Sequence, residues 1–243
     1  MKYGMADYKP NFTPLDQNLK LRIDEGEVLD DATLYCKIVG SLIYMAISRP
    51  DLSHALGLVS QFMQLPRKPH LDAMRRIVRI VRATLDYTLF YDAGTQVQVH
   101  GYTDLDWVGK VSDCRSTNGY MFSFGSATIT WSSKKHPTVE LLSTEVQDPV
   151  VIYCDNLSNI QLAQNLVFHA RTKHIEVHNH FIIERVLDGD INLAYVNTED
   201  QTVDLFTKAL GAEKLQCFRG MLELEDMALS LRRSVEISSS MST

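Results

Sequence analysis

The stretch VHGYTDLDWVGK, residues 99–110, reads as a strand that ends in two aspartates, Asp104 and Asp106. Apolar and polar residues alternate through VQVHGYTD (97–104), the period of a half-buried strand. GYMFSFGS (119–126) and ATITWSS (127–133) repeat that period and are joined through Gly125-Ser126, so three antiparallel strands in a meander are expected. PVVIYCDN (149–156) is instead a continuous apolar run, the pattern of a strand covered on both faces, and it too ends in an aspartate, Asp155. Placed parallel to the first strand, it brings Asp155 beside Asp104. Residues 157–187 read as helical, INLAYVN (191–197) as a further strand, and TVDLFTKALG (202–211) opens a final helix with Asp204 near its start. The pattern is that of a mixed α/β domain.

Asp104, Asp155 and Asp204 thus occupy comparable positions, just past a strand or early in a helix. Neighbouring strand ends lie close together in a mixed sheet, so acids distant in sequence converge there. Converging carboxylates repel unless a cation joins them, and a set of hard oxygen ligands without Cys or His selects Mg²⁺ or Mn²⁺. Two such ions ~3.5–4 Å apart form the phosphodiester-cleaving arrangement of many nucleases. Taken singly, each aspartate also suits an Asx turn or a helix cap; their joint placement points to the metal site.

Upstream, the first 30 or so residues, rich in Pro and Asp, form a lead-in with little periodicity. Helical patterns follow in LYCKIVGSLIYMAI, DLSHALGLVSQFMQL and HLDAMRRIVRIVRATL, separated by the breakers SRPD and PRKP. Residues 1–95 are therefore read as a small helical unit. Its last helix is strongly basic, with Arg67, Lys68, Arg75, Arg76, Arg79 and Arg82 set against Asp72 alone. Ile77, Val78, Ile80 and Val81 mark the apolar face. Arg75, Arg76, Arg79 and Arg82 fall on the polar flank, either a solvated surface or a strip for a phosphate backbone.

Composition bounds these readings. A chain of 243 residues with 45% hydrophobic and 22% charged residues has the balance of a soluble globular protein. No apolar run approaches the ~18 residues of a membrane span, and MKYGMADYKP lacks the apolar core of a signal peptide, so a reducing compartment is expected. Cys36, Cys114, Cys154 and Cys217 are scattered and read as free thiols. The net charge of −6 argues against coating nucleic acid through a global field, which leaves the basic helix as the local candidate. His174 and His178 have the i, i+4 spacing of a zinc pair, near His169 and His180, but no H-E-x-x-H follows. Tyr102 and Trp107 are candidates for base stacking or for strand packing. P-loop, G-x-G-x-x-G and G-x-S-x-G motifs are absent, which removes nucleotide-fold and serine-hydrolase readings.

Long segments, among them VGSLIYMAISRPDLSHALGLVSQFM, GYTDLDWVG, RSTNGYMFSFGSATITWSSKKHPTV, VIYCDNLSNIQLAQNLVFHARTKHIEV and YVNTEDQTVDLFTKAL, resemble the C-terminal end of a copia-type LTR-retrotransposon Pol polyprotein. The resemblance covers nearly the whole chain. It implies a reverse-transcriptase connection over 1–95, a ribonuclease H-like domain over 96–220 and a tail over 221–243. No Y-x-D-D polymerase motif is present. By resemblance the activity is metal-dependent cleavage of RNA in an RNA–DNA hybrid, with Mg²⁺ or Mn²⁺ held by Asp104, Asp155 and Asp204. Implied partners are a hybrid or other nucleic acid and the remainder of a Pol polyprotein, not a membrane. The implied location is an element-encoded particle in the cytoplasm, or the nucleus.

The family's second catalytic acid is the exception. Its SSTEAEY motif is followed by a long helix before the YCDN strand, whereas LLSTEVQDPVVIYCDN (141–156) runs straight through. Glu145 matches the first glutamate and is the only nearby substitute acid, and Gln147 stands where the second would fall. The fold expected is thus a ribonuclease H-like mixed sheet, an antiparallel meander plus parallel strands, truncated near 145–148 and lacking its first crossover helix. The 16 residues of KKHPTVELLSTEVQDP stretch ~55 Å, enough for the crossover but not for covering a sheet face. Inactivity as written is the expectation, and a decayed element-derived protein with weak nucleic-acid binding is the alternative.

Overall fold

The computed structural model describes residues 12–91, 98–104, 118–134, 149–164 and 184–227. In chain order the elements are α1 (Thr33–Met45), a 3₁₀ turn (Pro50–Leu52), α2 (Ser53–Ser60), α3 (Lys68–Ala83), β1 (Tyr87–Leu89), β2 (Val99–Thr103), β3 (Asn118–Phe124), β4 (Ala127–Lys134), β5 (Val150–Cys154), α4 (Leu157–Gln164), β6 (Ile191–Tyr195), α5 (Asp204–Thr207), α6 (Ala212–Met221) and β7 (Leu224–Asp226). They fall into two compact units. The described residues up to 91 and from 208 onward form the first, and those between 92 and 207 form the second.

In the first unit α1 buries Tyr35, Ile38, Val39 and Leu42, an i, i+3, i+4, i+7 stripe. That stripe packs with Leu52, Ala55, Leu56 and Val59, and with Ala73, Met74, Ile77, Ile80 and Val81 from α3. The Tyr35 hydroxyl donates to the Val59 carbonyl at 2.7 Å, so its polar tip is satisfied inside the core. Burial pushes the Tyr35 phenol well above its ordinary pKa. The run 51–65 is shorter as a helix than its pattern predicts: α2 ends at Ser60, and turns follow. The predicted final helix is likewise two pieces, α5 and α6, with irregular backbone between them.

The C-terminal residues return to the first unit. Strand β7 pairs antiparallel with β1, Tyr87 opposite Asp226 and Leu89 opposite Leu224. Leu215, Phe218, Leu222 and Leu224 are buried. By packing, the described residues from 208 onward belong with the helices of this unit.

His70 ties the lead-in to α3. Its Nδ1 accepts from the Arg67 backbone N–H at 3.0 Å, and its Nε2 lies 3.0 Å from the Arg22 carbonyl. One partner only donates and the other only accepts, so the ring is neutral, with the proton on Nε2. Phe62 stacks on it at 3.9 Å. Burial lowers the His70 pKa below 6.5, aided by the Arg67 charge and opposed by the Arg22 bond. The stabilisation is therefore full above the unfolded value and is lost as pH falls below it, where the unfolded chain binds a proton that the folded chain refuses. Between about pH 7.5 and 5.5 the unfolding midpoint is expected to fall, and to fall less in His70→Gln. Equal slopes in the two proteins would remove His70 from that account.

The second unit is a five-stranded mixed sheet in the order β4-β3-β2-β5-β6. Strands β2, β3 and β4 form an antiparallel meander, with β5 parallel to β2 and β6 parallel to β5. The meander is the arrangement expected from the period-two runs, and the parallel course of β5 beside β2 is that expected from pairing the strands that end in aspartates. The β3–β4 turn uses Gly125 at φ 62°, where a glycine is favoured. Phe122, Ile152 and Ile191 form the core of one face, with Tyr120, Val150, Val186 and Leu193 packed against them. The crossover residues 135–148, including Glu145 and Gln147, lie outside the described residues, as do Asp106, Trp107, Cys114 and the four histidines 169, 174, 178 and 180.

Candidate functional site

The parallel pairing of β2 with β5 sets Tyr102 opposite Tyr153. Asp104 and Asp155 each stand two residues beyond this pair, just past the ends of β2 and β5. The Asp104 N–H donates to the Gly119 carbonyl at 3.2 Å, prolonging the β2–β3 ladder up to the acid. Beneath the pair, on the same pleat, Tyr102 and Tyr153 stack with centroids 5.0 Å apart, and His100 meets both edge-on. Tyr102 is thus a half-buried packing aromatic in this unit, and burial raises its pKa, followed by the nearby Tyr153 and Asp200. Burial lowers the pKa of His100.

The Cys154 thiol lies buried beside the acids. Its pKa is raised by burial first, and then by the charges of Asp155 and Asp104, against a lowering hydrogen bond from the Asn156 backbone. It is a packing thiol, and Cys36, Cys154 and Cys217 are all free.

The segment before α6 closes over the strand ends. Gln201 is fully buried, and its Nε2 donates both to the Thr103 carbonyl at 3.1 Å and to Asp155 Oδ1 at 3.3 Å. The Thr207 hydroxyl donates to Asp104 Oδ2 at 3.0 Å. Between them Asp204 is buried in the first turn of α5, its N–H bonded to the Gln201 carbonyl at 3.1 Å. Gly119 allows this approach: a Cβ there would stand 2.7 Å from Val203 Cγ1 and 2.9 Å from Thr207 Cγ2. Gln201 and Thr207 escaped the sequence reading. No local pattern marks them, since Gln201 precedes the four-residue helix α5 and meets Thr103 and Asp155 only through packing.

Among the described residues, no three His, Cys, Asp or Glu side chains come together as a group able to hold a metal ion. Asp104 and Asp155 instead each accept a hydrogen bond from a neutral protein donor. The described side chains by themselves supply no three-ligand set for a two-ion arrangement.

On α3, Arg76 is committed: it donates to the Thr13 carbonyl at 3.0 Å and to the Thr13 hydroxyl at 2.8 Å, and lies 3.7 Å from Asp16. Arg75 pairs with Asp72 at 3.3 Å on an exposed surface. Arg82 is exposed and Arg79 half-buried. The first unit also holds a cavity of about 700 Å³ bordered by Ile80, Thr84, Tyr87, Gln216 and Arg219, and none of the predicted site residues lines it. No described helix is long and apolar enough to cross a membrane.

The class defined by this sheet and its strand-end acids is a mixed α/β fold compatible with ribonuclease H. In alignments of 241 positions that cover 88% of the chain, the sequence is 38% identical to the retrovirus-related Pol polyprotein from transposon RE1 of Arabidopsis thaliana, and 38% identical to that from transposon RE2 of the same plant. It is 33% identical over 247 residues to the retrovirus-related Pol polyprotein from transposon TNT 1-94 of Nicotiana tabacum. The chain belongs to this family of copia-type retrovirus-related Pol polyproteins. It spans only 16–18% of the length of these relatives. No family model and no solved structure matches it.

Proposed function

We propose that this chain is a retrotransposon-derived ribonuclease H-like protein, by descent a metal-dependent endonuclease for RNA in RNA–DNA hybrids, that does not turn over as written. The observation that supports the descent is that Asp104 and Asp155 directly follow the neighbouring parallel strands β2 and β5. Phosphodiester cleavage of this kind relies on carboxylates converging where the attacking and leaving oxygens are stabilised. Asp204, buried at the start of α5 within the segment that closes over those ends, is the further acid of that lineage.

Two observations support the absence of turnover. Gln147 stands where the family's second glutamate falls, and among the described residues no third metal-ligating side chain is grouped with Asp104 and Asp155, which accept from Thr207 and Gln201. A site that loses one ligand and its supporting shell loses affinity and geometry together. The natural context of the chain is a larger Pol polyprotein in an element-encoded particle or in the nucleus.

Incubating the purified chain with a labelled RNA–DNA hybrid and Mg²⁺ or Mn²⁺ tests the proposal. Cleavage is expected to be no faster than in Asp104→Asn. Robust cleavage abolished by that substitution would overturn the proposal and would make Glu145→Gln the next variant to assay. Hybrid binding, where retained, is expected to weaken with salt through Arg75, Arg79 and Arg82. Arg76→Gln is expected to leave the salt slope unchanged, since that guanidinium is already engaged by Thr13.

A further inference from the structure

Two carboxylates at adjacent strand ends repel each other, and burial beside the sheet strengthens the repulsion. Something must compensate it. In this chain both acids face donors from one short segment, Thr207 on Asp104 and Gln201 on Asp155, with Asp204 midway. The orientation of the Gln201 amide is determined by its surroundings: Nε2 lies against two oxygens, the Thr103 carbonyl and the Asp155 carboxylate, and a flipped amide would set oxygen against both. The cost falls on the other end. Gln201 Oε1 is buried with no hydrogen-bond partner among the described residues. A buried acceptor left unpaired is tolerated where the same side chain does something a leucine cannot.

We infer that Gln201 and Thr207 are positioning residues that form a cation-independent clamp, holding the Asp155 and Asp104 carboxylates by hydrogen bonds where the lineage proposed above uses metal ions. The clamp also ties the segment 201–207 to the ends of β2 and β5. Gln201 reaches both strands, through Thr103 on β2 and Asp155 past β5, and Thr207 closes the other side. Ionised carboxylates only accept hydrogen bonds, so both donors are matched to the charged acids. The inference rests on the ribonuclease H lineage only in naming what the clamp replaces.

The test is thermal unfolding of the full chain in EDTA and across a Mn²⁺ titration, for wild type, Thr207→Val, Thr207→Ser, Gln201→Leu and Asp104→Asn. The wild-type midpoint is expected to be the same in EDTA and in Mn²⁺. Thr207→Val and Gln201→Leu are expected to lower it, and Thr207→Ser, which keeps the hydroxyl, to restore it. In Thr207→Val and Gln201→Leu, Mn²⁺ is expected to raise the midpoint, because the released carboxylates then gain from a cation; a purely structural loss would not produce that response. A wild-type midpoint that rises with Mn²⁺, with the rise abolished in Asp104→Asn, would overturn the clamp, and this arm decides even if a variant fails to fold. Valine and leucine variants that unfold like wild type would overturn it as well. Mn²⁺ stabilisation of wild type without hybrid cleavage sinks the clamp alone, whereas Asp104-dependent hybrid cleavage sinks the reading of an inactive enzyme.

Discussion

Asp51→Ala is expected to cost the first unit about 3–5 kcal/mol, the penalty of breaking a buried ion pair by removing one partner. The Asp51 side chain is fully buried and receives Arg49 through Nε and Nη2, each at 2.9 Å, and Arg219 through Nε at 2.9 Å and Nη2 at 2.6 Å. Arg49 also donates to the Thr84 carbonyl and hydroxyl, both at 2.8 Å. Both guanidinium groups lie against the Tyr87 ring, at 5.6 and 5.3 Å from its centroid. Two cations thus share one anion, so removing Asp51 leaves two uncompensated buried charges. Removing Arg219 leaves a neutral, bidentate Arg49–Asp51 pair, and Arg219→Met is expected to cost less than Asp51→Ala. Urea unfolding followed by circular dichroism measures both, and an equal or reversed order would refute the charge argument. Burial alone would raise the Asp51 pKa, but the bonds and charge of Arg49, and then those of Arg219, outweigh it and lower it below 3.8. The contribution of this carboxylate is accordingly present above the unfolded value and is lost as pH falls through the lower folded one.

Gly119→Val is expected to destabilise the second unit by about 1–3 kcal/mol, the usual cost of overpacking, and to move α5 away from the sheet. Even one added carbon would meet Val203, Thr207 and, at 3.1 Å, Phe206 Cβ. Phe206 is fully buried and its carbonyl is anchored by the Ser133 hydroxyl at 2.6 Å, so α5 has little room to yield. The bond from Thr207 to Asp104 is expected to break with it. Gly40 and Gly220 provide the contrast: both are helical with nothing within 4 Å of an added Cβ, and alanine there is expected to stabilise by about 0.4–1 kcal/mol. A Gly119→Val protein as stable as Gly40→Ala would show that α5 does not depend on this close approach.

The strands of the second unit were legible because a pleated chain half-covered by apolar neighbours must alternate, and the direction of β5 followed from placing Asp155 beside Asp104. The burial of Ile77, Ile80 and Val81 on α3 was legible for the same kind of reason, a helical period. The strand-end acids could be named before any coordinates, because carboxylates that stop apolar runs are conspicuous. Arg76 was less legible: the helical wheel places it on the polar flank, but only packing shows that Thr13 occupies its guanidinium.

Local periodicity, turn chemistry and motif wording thus determined the element types of this protein, its mixed sheet and the positions of Asp104 and Asp155. Tertiary structure alone decided which distant residues complete them. The breaker SRPD carries Arg49 and Asp51 into the core, where Arg219, 168 residues beyond Asp51, becomes their partner. The three-residue strand β7 has no pattern of its own and exists because β1 offers it a ladder. Gln201 acquires its role from Thr103, 98 residues earlier. Periodicity reports which face of an element leaves water, a property of neighbouring residues. The pairing of buried charges and donors is set by which surfaces meet after the chain closes on itself, and no local pattern encodes that meeting.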